Sequence, residues 1–251
     1  MISAWGLTDR GVVRRENQDS CAYDLLPDYA WGVVCDGMGG AKAGDVASTM
    51  AVETFSLHMA RLAEPEGDRP PDVGELLLQA AEDANRVVFH RAGQDLDCVG
   101  MGTTMVGVVV HEGVLSTVNV GDSRAYHITK DSIQRITRDH SVVEDLVAKG
   151  DLTPEQARVH PQKNLITRAL GVSANIVPEY NRCEIEEGDI LLLCTDGLTN
   201  MVADDDIAQV LREVPFFDAT SILVDRALQA GGQDNITVLL MGVEATEVNN
   251  G

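Results

Sequence analysis

Residues 31–40 read Trp31-Gly32-Val33-Val34-Cys35-Asp36-Gly37-Met38-Gly39-Gly40, an apolar run that ends in an aspartate and a glycine-rich turn. Short apolar runs bounded by turns are typical of buried strands. Three more aspartates lie in small-residue turns beside apolar runs, namely in Gly121-Asp122-Ser123-Arg124, Thr195-Asp196-Gly197-Leu198 and Gly232-Gln233-Asp234-Asn235. The pattern predicts that carboxylates far apart in sequence meet at the ends of neighbouring strands.

Clustered carboxylates repel one another and are costly to bury, so a divalent cation is the usual reason for assembling them. The candidate ligands are Asp19, Asp36, Asp122, Asp196 and Asp234. All are oxygen donors, which favour magnesium, manganese or calcium over zinc. Gly37 and Gly197 directly follow two of these aspartates, and glycine allows a tight turn or a close approach of the backbone to an ion.

Arg14 lies five residues before Asp19 and is the candidate for holding a phosphate. A guanidinium group matches phosphate oxygens in a bidentate manner. Two ions about 3.5 to 4 Å apart can clamp a phosphoryl group and lower the pKa of a bridging water. The residues therefore favour metal-assisted phosphate chemistry.

Hydrophobic periodicity predicts an α+β fold with antiparallel sheets. Two sheets packed face to face, with helices outside, would bury the strands on both faces. The predicted strands are residues 4–8, 20–23, 29–35, 103–110, 114–120, 124–128, 132–136, 176–181, 190–194 and 236–240. The predicted helices cover residues 47–57 and 73–88, two short segments from 141 and 153, and two segments around 207–214 and 222–230. Asp72 with Glu75 predicts a capping box at a helix start, and residues 64–71 predict an exposed loop.

Composition limits the functional classes. Forty acidic residues against 19 basic ones give a net charge of −21, which argues against nucleic-acid binding. No apolar stretch is long enough to span a bilayer, and the N-terminus lacks the features of a signal peptide. Five cysteines without a CxxC pair predict reduced thiols in a cytoplasmic protein.

The motifs taken together resemble the metal-dependent protein phosphatases, the protein phosphatase type 2C (PPM) family, in particular its bacterial single-domain members. Besides the four aspartate turns, the resemblance rests on Thr8-Asp9-Arg10-Gly11, residues 14–19, Gly44-Asp45-Val46-Ala47-Ser48, Gly102-Thr103-Thr104, Asp139-His140-Ser141, residues 166–171 and Asp234-Asn235-Ile236-Thr237.

The resemblance implies a β-sandwich flanked by pairs of antiparallel helices, with one catalytic domain over residues 1–243, a flap at about 139–171 and a tail at 244–251. It implies two Mn²⁺ or Mg²⁺ ions, bridged by Asp36. The Gly37 carbonyl would bind one ion, and Asp196 and Asp234 would complete the other shell. Asp19 would hold metal-bound water, a third ion would involve Asp122 and Asp196, and Arg14 would grip the phosphate.

The implied function is hydrolysis of phosphoserine and phosphothreonine in proteins that a serine/threonine kinase has phosphorylated. A water on the binuclear centre would attack phosphorus in line, without a phosphoenzyme, with Arg14, Asp36 and Asp196 as the catalytic residues. Met38 occupies the position where many eukaryotic members carry a histidine proposed as the general acid. His160 and a water on the third ion are the alternative proton donors.

Two other classes remain as alternatives. A phosphoprotein-binding module without turnover could keep the same fold, although loss of activity usually removes ligands and this set is complete. A calcium-binding protein would carry closely spaced ligands such as DxDxDG. The nearest run, Asp204-Asp205-Asp206, lacks that alternation and is typical of the start of a helix.

Overall fold

The computed structural model describes residues 1–40, 43–63 and 71–244. The strands in these ranges are β1 (Ile2–Asp9), β2 (Asp19–Leu25), β3 (Ala30–Met38), β4 (Gly102–Thr103), β5 (Met105–His111), β6 (Val114–Val120), β7 (Arg124–Ile128), β8 (Ile133–Arg135), β9 (Glu179–Glu184), β10 (Ile190–Cys194) and β11 (Ile236–Val243). The helices are α1 (Ala43–Ala63), α2 (Val73–Gln94), α3 (Val142–Lys149), α4 (Pro154–Arg158), α5 (Asp196–Thr199), α6 (Asp204–Glu213) and α7 (Phe216–Gln229).

The strands form two antiparallel sheets. One sheet has the order β1-β11-β10-β7-β8, and the other has the order β2-β3-β5-β6-β9, with β4 paired to β3. Strands distant in sequence become neighbours, since β1 pairs with β11 along its whole length. The predicted α+β sandwich is confirmed.

Three apolar clusters hold the layers together, and alternation along the strands assigns residues to them. Val33 and Cys35 face the cluster with α1 and α2, whereas Val34 between them faces the other sheet. In β10, Leu192 packs toward α6 and α7, and Leu191 packs between the sheets. Because helices cover both outer faces, these strands are apolar on both sides, which explains their continuous hydrophobic runs.

Helix ends follow the predicted signals. The Asp72 side chain caps α2 by accepting from the Glu75 amide at 3.1 Å, which is one of the two hydrogen bonds of the predicted capping box. Thr153 and Gln156 form a reciprocal capping box at α4. The predicted strand 176–181 is wrong at its start, because β9 begins only at Glu179. Pro178 precedes it and cannot donate a hydrogen bond to a sheet.

Residues 139–171, here called the flap segment, carry α3 and α4. An isolated bridge between Ser141 and Ile166 joins the two ends of this segment, and a second bridge, between Leu170 and Thr103, connects it to β4. The flap and domain boundaries themselves stay predictions. The predicted loop at 64–71 and the tail at 244–251 lie, except for residues 71 and 244, outside the described residues. Among the described residues, no helix is both long and apolar enough to cross a membrane.

Candidate metal centre

Asp36 lies near the end of β3, directly opposite Asp19 on β2. Its backbone is fixed by the pair Thr103-Thr104. The Asp36 amide donates to the Thr104 hydroxyl at 2.9 Å, and the Asp36 carbonyl accepts from the Thr103 hydroxyl and the Thr104 amide, each at 2.9 Å. These contacts place the Asp36 carboxylate without using its oxygens.

Gly37 follows in a position that tolerates no side chain. A β-carbon there would lie 2.0 Å from the Gly44 carbonyl oxygen, at the start of α1. The Gly37 amide donates to the Gln18 carbonyl at 3.0 Å, which joins this turn to the strand that carries Asp19. The glycine therefore allows β3, β2 and α1 to converge.

Asp19 is buried, and its two carboxylate oxygens differ. Oδ2 accepts hydrogen bonds from the Thr195 hydroxyl at 2.9 Å and from the Thr237 hydroxyl at 2.7 Å. Oδ1 is also buried and has no hydrogen-bond partner among the residues that the structure describes. A buried carboxylate oxygen without a partner is costly, so its position calls for a cation or an ordered water.

Asp196 repeats this arrangement at the start of α5. Its Oδ2 accepts from the Asn200 side-chain amide at 2.8 Å, while its Oδ1 is buried and has no hydrogen-bond partner in residues 1–40, 43–63 and 71–244. Gly197 lets α5 pack against the loop before β11, because a β-carbon there would lie 1.9 Å from the Asn235 carbonyl oxygen.

Asp234 is in contact with Arg14, whose guanidinium donates to Asp234 Oδ2 at 2.6 Å. Arg14, predicted to hold the phosphate, thus forms a salt bridge with Asp234, a predicted metal ligand. The Asn235 side chain fixes the loop that carries Arg14, since it accepts from the Gln18 amide and donates to the carbonyls of Arg10 and Glu16.

Asp122 lies in the turn between β6 and β7. A buried hydroxyl contact of 2.6 Å between Ser123 and Thr104 connects this turn to Asp36. The Gly121 amide donates to His140 Nδ1 at 3.1 Å, which joins the turn to the flap segment. Asp122 is therefore positioned by contacts with both the core and the flap.

Most of these predicted site residues line one cavity of about 220 Å³. It is lined by Arg14, Asp36, Gly37, Asp122, Asp196 and Asp234. Asp19 does not line it and is the cross-strand partner of Asp36. Sequence reasoning missed Asn164 and Ile166, which reach the cavity from the flap segment. It also assigned no role to Thr104, Asn200 or Asn235, although two of these lie in the motifs that carried the resemblance. His160 does not line this cavity, and its Nδ1 accepts from the nearby Gln162 amide.

Burial raises the pKa of several carboxyl groups here, and their mutual repulsion adds to it. Burial, then repulsion from Asp196 and Asp234, raises the pKa of Asp19 to about 7 against the hydrogen bonds from Thr237 and Thr195. Burial and Asp196 raise the pKa of Asp122 to about 8, and burial and Asp234 raise that of Asp196 to about 6. The pKa of Asp36 is well above its ordinary value for the same reasons, with burial first.

These observations fit divalent cations with oxygen ligands. The donors are carboxylates, two of their buried oxygens lack hydrogen-bond partners within the described part of the chain, and the carboxylates raise one another's pKa. Within residues 1–40, 43–63 and 71–244, however, no three histidine, cysteine, aspartate or glutamate side chains already surround a single point. Ions bound here would complete their shells with backbone oxygen and water, as Mg²⁺ commonly does.

The chain matches the family model described as Protein phosphatase 2C over residues 12–239. The chain belongs to the protein phosphatase 2C family. This phosphatase is 38% identical over 239 residues to the protein phosphatase PhpP of Streptococcus pneumoniae, covering 94% of this chain and 96% of that protein. The prediction of an enzyme of this class is confirmed.

Solved structures show the same fold. The serine/threonine phosphatase Stp1 of Staphylococcus aureus is similar at a TM-score of 0.90 and 36% identity, covering 98% of this chain and 96% of that one. The catalytic domain of the serine/threonine phosphatase PstP, solved in complex with two manganese ions, is similar at a TM-score of 0.84 and 32% identity. The coverage there is 97% of this phosphatase and 99% of that chain.

The metal-free protein should be more stable at pH 5.5 than at pH 8. Since the folded-state pKa values of Asp19 and Asp122, about 7 and 8, exceed the ordinary value of 3.8, the folded state keeps protons that the unfolded chain has lost. Stability from these groups is therefore greatest at low pH and is lost as the pH rises toward 8. Urea unfolding in the presence of a chelator at several pH values measures the slope. Asp122→Asn should reduce it, and the exposed control Asp225→Asn should not.

Proposed function

We propose that this phosphatase hydrolyses phosphoserine and phosphothreonine monoesters in proteins and requires two divalent ions, Mn²⁺ or Mg²⁺. Asp36 and the Gly37 carbonyl, with Asp196 and Asp234, would hold the two ions, and Asp19 would act in the outer shell. Asp122 and Asp196 would hold a third ion. The observation that carries the proposal is a cavity lined by four carboxylates together with two buried oxygens that have no hydrogen-bond partner within the described residues. These are Oδ1 of Asp196, which lines the cavity, and Oδ1 of Asp19, the cross-strand partner of Asp36.

When bound, such ions lower the pKa of a coordinated water and neutralise charge on phosphoryl oxygens. The chain's own residues keep the ligands in place. Thr103 and Thr104 fix the Asp36 backbone, Asn200 orients Asp196, and the two hydroxyls on Oδ2 of Asp19 leave its Oδ1 as the only oxygen available. This arrangement is preorganised, because none of these contacts has to break for a ligand oxygen to act.

Arg14 is the residue proposed to grip the phosphate. It is half-exposed at the cavity and has Asp234 as its partner within the described residues. Binding of a phosphoryl group would exchange this single hydrogen bond to the Asp234 carboxylate for phosphate oxygens, which a guanidinium group can bind in a bidentate manner. The contact with Asp234 thus holds the guanidinium at the cavity before substrate arrives.

Direct transfer to water, without a phosphoenzyme, agrees with the side chains at the cavity. Among the described residues, no histidine or cysteine lines it. The Thr104 hydroxyl accepts from the Asp36 amide and contacts Ser123, so it is not a free nucleophile. Met38 cannot donate a proton, and we propose that the leaving alcohol takes its proton from water.

The test is release of phosphate from a phosphothreonine peptide. We expect activity with added Mn²⁺, loss of activity with excess chelator, and recovery when Mn²⁺ is restored. A parallel melting experiment should show a rise in Tm with Mn²⁺, since a ligand that binds only the folded state stabilises it. Activity that survives the chelator would contradict the metal requirement. Binding of the phosphopeptide with Mn²⁺ present but without turnover would favour the non-catalytic module instead.

A further inference from the structure

A second cavity, of about 320 Å³, lies between the flap segment, the end of α5 and the start of α6. We call it the flap groove. Its polar wall contains Arg124, Arg135, Arg158, Lys163 and Asn200. The methyl groups of Val143, Val147 and Ala157 also line it. The groove can therefore enclose a side chain with an apolar stem and a charged end.

The flap groove is adjacent to the metal cavity on two sides. Asn200 lines the groove, and its side-chain amide donates to Asp196 Oδ2, which belongs to the metal cavity. On the flap side, Lys163 lines the groove while the next residue, Asn164, lines the metal cavity. A peptide held at the metal cavity would thus bring neighbouring side chains to the groove.

The acidic groups in the groove already have partners. Asp139 accepts from Arg124 in a bidentate manner at 2.9 and 2.6 Å. Glu144 accepts from Arg135 at 2.9 Å. Asp204 accepts a longer hydrogen bond, 3.3 Å, from the Tyr126 hydroxyl. The charges of Asp139 and Glu144 are each balanced by the arginine that they contact. Asp204 then remains as the acidic residue to set against the other two cations of the groove.

Arg158 and Lys163 are those other cations. Within the described part of the chain, neither forms a salt bridge with a carboxylate. Arg158 is exposed at the end of α4, and Lys163 is half-buried. In a chain of net charge −21, two such cations beside the metal cavity mark a local site for an anion.

We propose that the flap groove binds an anionic side chain of the substrate, a carboxylate or a second phosphate, close in sequence to the phosphorylated residue. The proposal rests on the function proposed above. An extended chain advances roughly 3.3 to 3.6 Å per residue, so a residue two to four positions away lies about 7 to 14 Å from the phosphorylated one. Arg158 and Lys163 determine specificity in this scheme and take no part in the chemistry.

The test compares phosphothreonine peptides that differ at one position. Alanine, glutamate, phosphoserine or lysine is placed in turn at each of about four positions on either side. Turnover is followed by mass spectrometry as loss of phosphate from the phosphothreonine alone, because phosphoserine is also a substrate under the proposed function. At low salt, glutamate or phosphoserine at one position should raise kcat/KM about 3- to 10-fold over alanine, mainly through KM, and high salt should reduce the gain. Comparing the two anionic residues distinguishes a carboxylate site from a phosphate site.

The double variant Arg158→Gln/Lys163→Gln should abolish that gain. It should leave kcat/KM for the alanine peptide and for p-nitrophenyl phosphate unchanged. Lys130→Gln, which removes one positive charge at an exposed residue outside the groove, should keep the gain. Equal kcat/KM for all peptides in the unmodified protein would overturn the proposal, as would a double variant that weakens acidic and alanine peptides in the same proportion.

Peptide binding separates this proposal from the proposed function. Fluorescence anisotropy of the labelled peptides with the Asp36→Asn variant should show tighter binding of the acidic peptide, and the added groove substitutions should remove the difference. Absence of turnover with p-nitrophenyl phosphate would contradict the proposed function alone. Equal binding of the acidic and alanine peptides would contradict the flap groove alone.

Discussion

Asp36→Asn should lower kcat/KM on the order of 10³-fold or more while it stabilises the metal-free protein. The substitution keeps the size of the side chain and removes the charge that two ions would share, and metal ions supply several kcal/mol of transition-state stabilisation. The backbone contacts with Thr103 and Thr104 do not involve the carboxylate and should persist. The folded state would also lose a buried group whose pKa burial and neighbouring carboxylates raise well above its ordinary value.

Activity and stability should therefore move in opposite directions in this variant. Steady-state kinetics with Mn²⁺ and urea unfolding with a chelator measure the two effects on the same preparation. Asp225→Asn is the matched control, because Asp225 is exposed on α7, outside the metal cavity. A variant that loses activity and also loses metal-free stability would indicate that Asp36 is mainly a structural residue.

Gly197→Ala should destabilise the protein by about 3 kcal/mol or more, among the larger effects of a single substitution. The new methyl carbon would lie 1.9 Å from the Asn235 carbonyl oxygen, which is backbone and cannot rotate away. Relief requires α5 to move from the loop before β11, and that movement would displace Asp196 and Asp234 together. Because a protein of this size loses about 2 to 4 °C in Tm per kcal/mol, we expect a fall of roughly 10 °C.

Gly93→Ala provides the control for the loss of glycine. A β-carbon at Gly93 meets nothing within 4 Å, and the residue lies near the end of α2. Alanine there should stabilise the helix by about 0.5 to 1 kcal/mol. Differential scanning calorimetry gives the Tm of both variants. It thereby separates the effect of the steric contact at Gly197 from the effect of replacing a flexible glycine by alanine. Equal Tm values for the two would contradict the close contact at Gly197.

The helices and most strands could be predicted because their signals are local. The cap at Asp72 and the alternation that places Val34 opposite Val33 act over a few residues. The start of β9 was an exception. The apolar pair Ile176-Val177 indicated a strand from residue 176, but β9 begins at Glu179, directly after Pro178. A run of apolar residues in the sequence indicates a strand, but the first residue of the strand is set by where its backbone begins to pair with a neighbouring strand.

The sequence by itself determined the layered α+β fold, the carboxylates at strand ends and the glycines that admit no side chain. These follow from periodicity and turn chemistry. Only the tertiary structure decided which oxygens remain free. Thr195 and Thr237 occupy one oxygen of Asp19 from 176 and 218 residues away, and Arg14 contacts Asp234 from 220 residues away. Such contacts depend on the order of strands in the sheets, and no short-range pattern encodes that order.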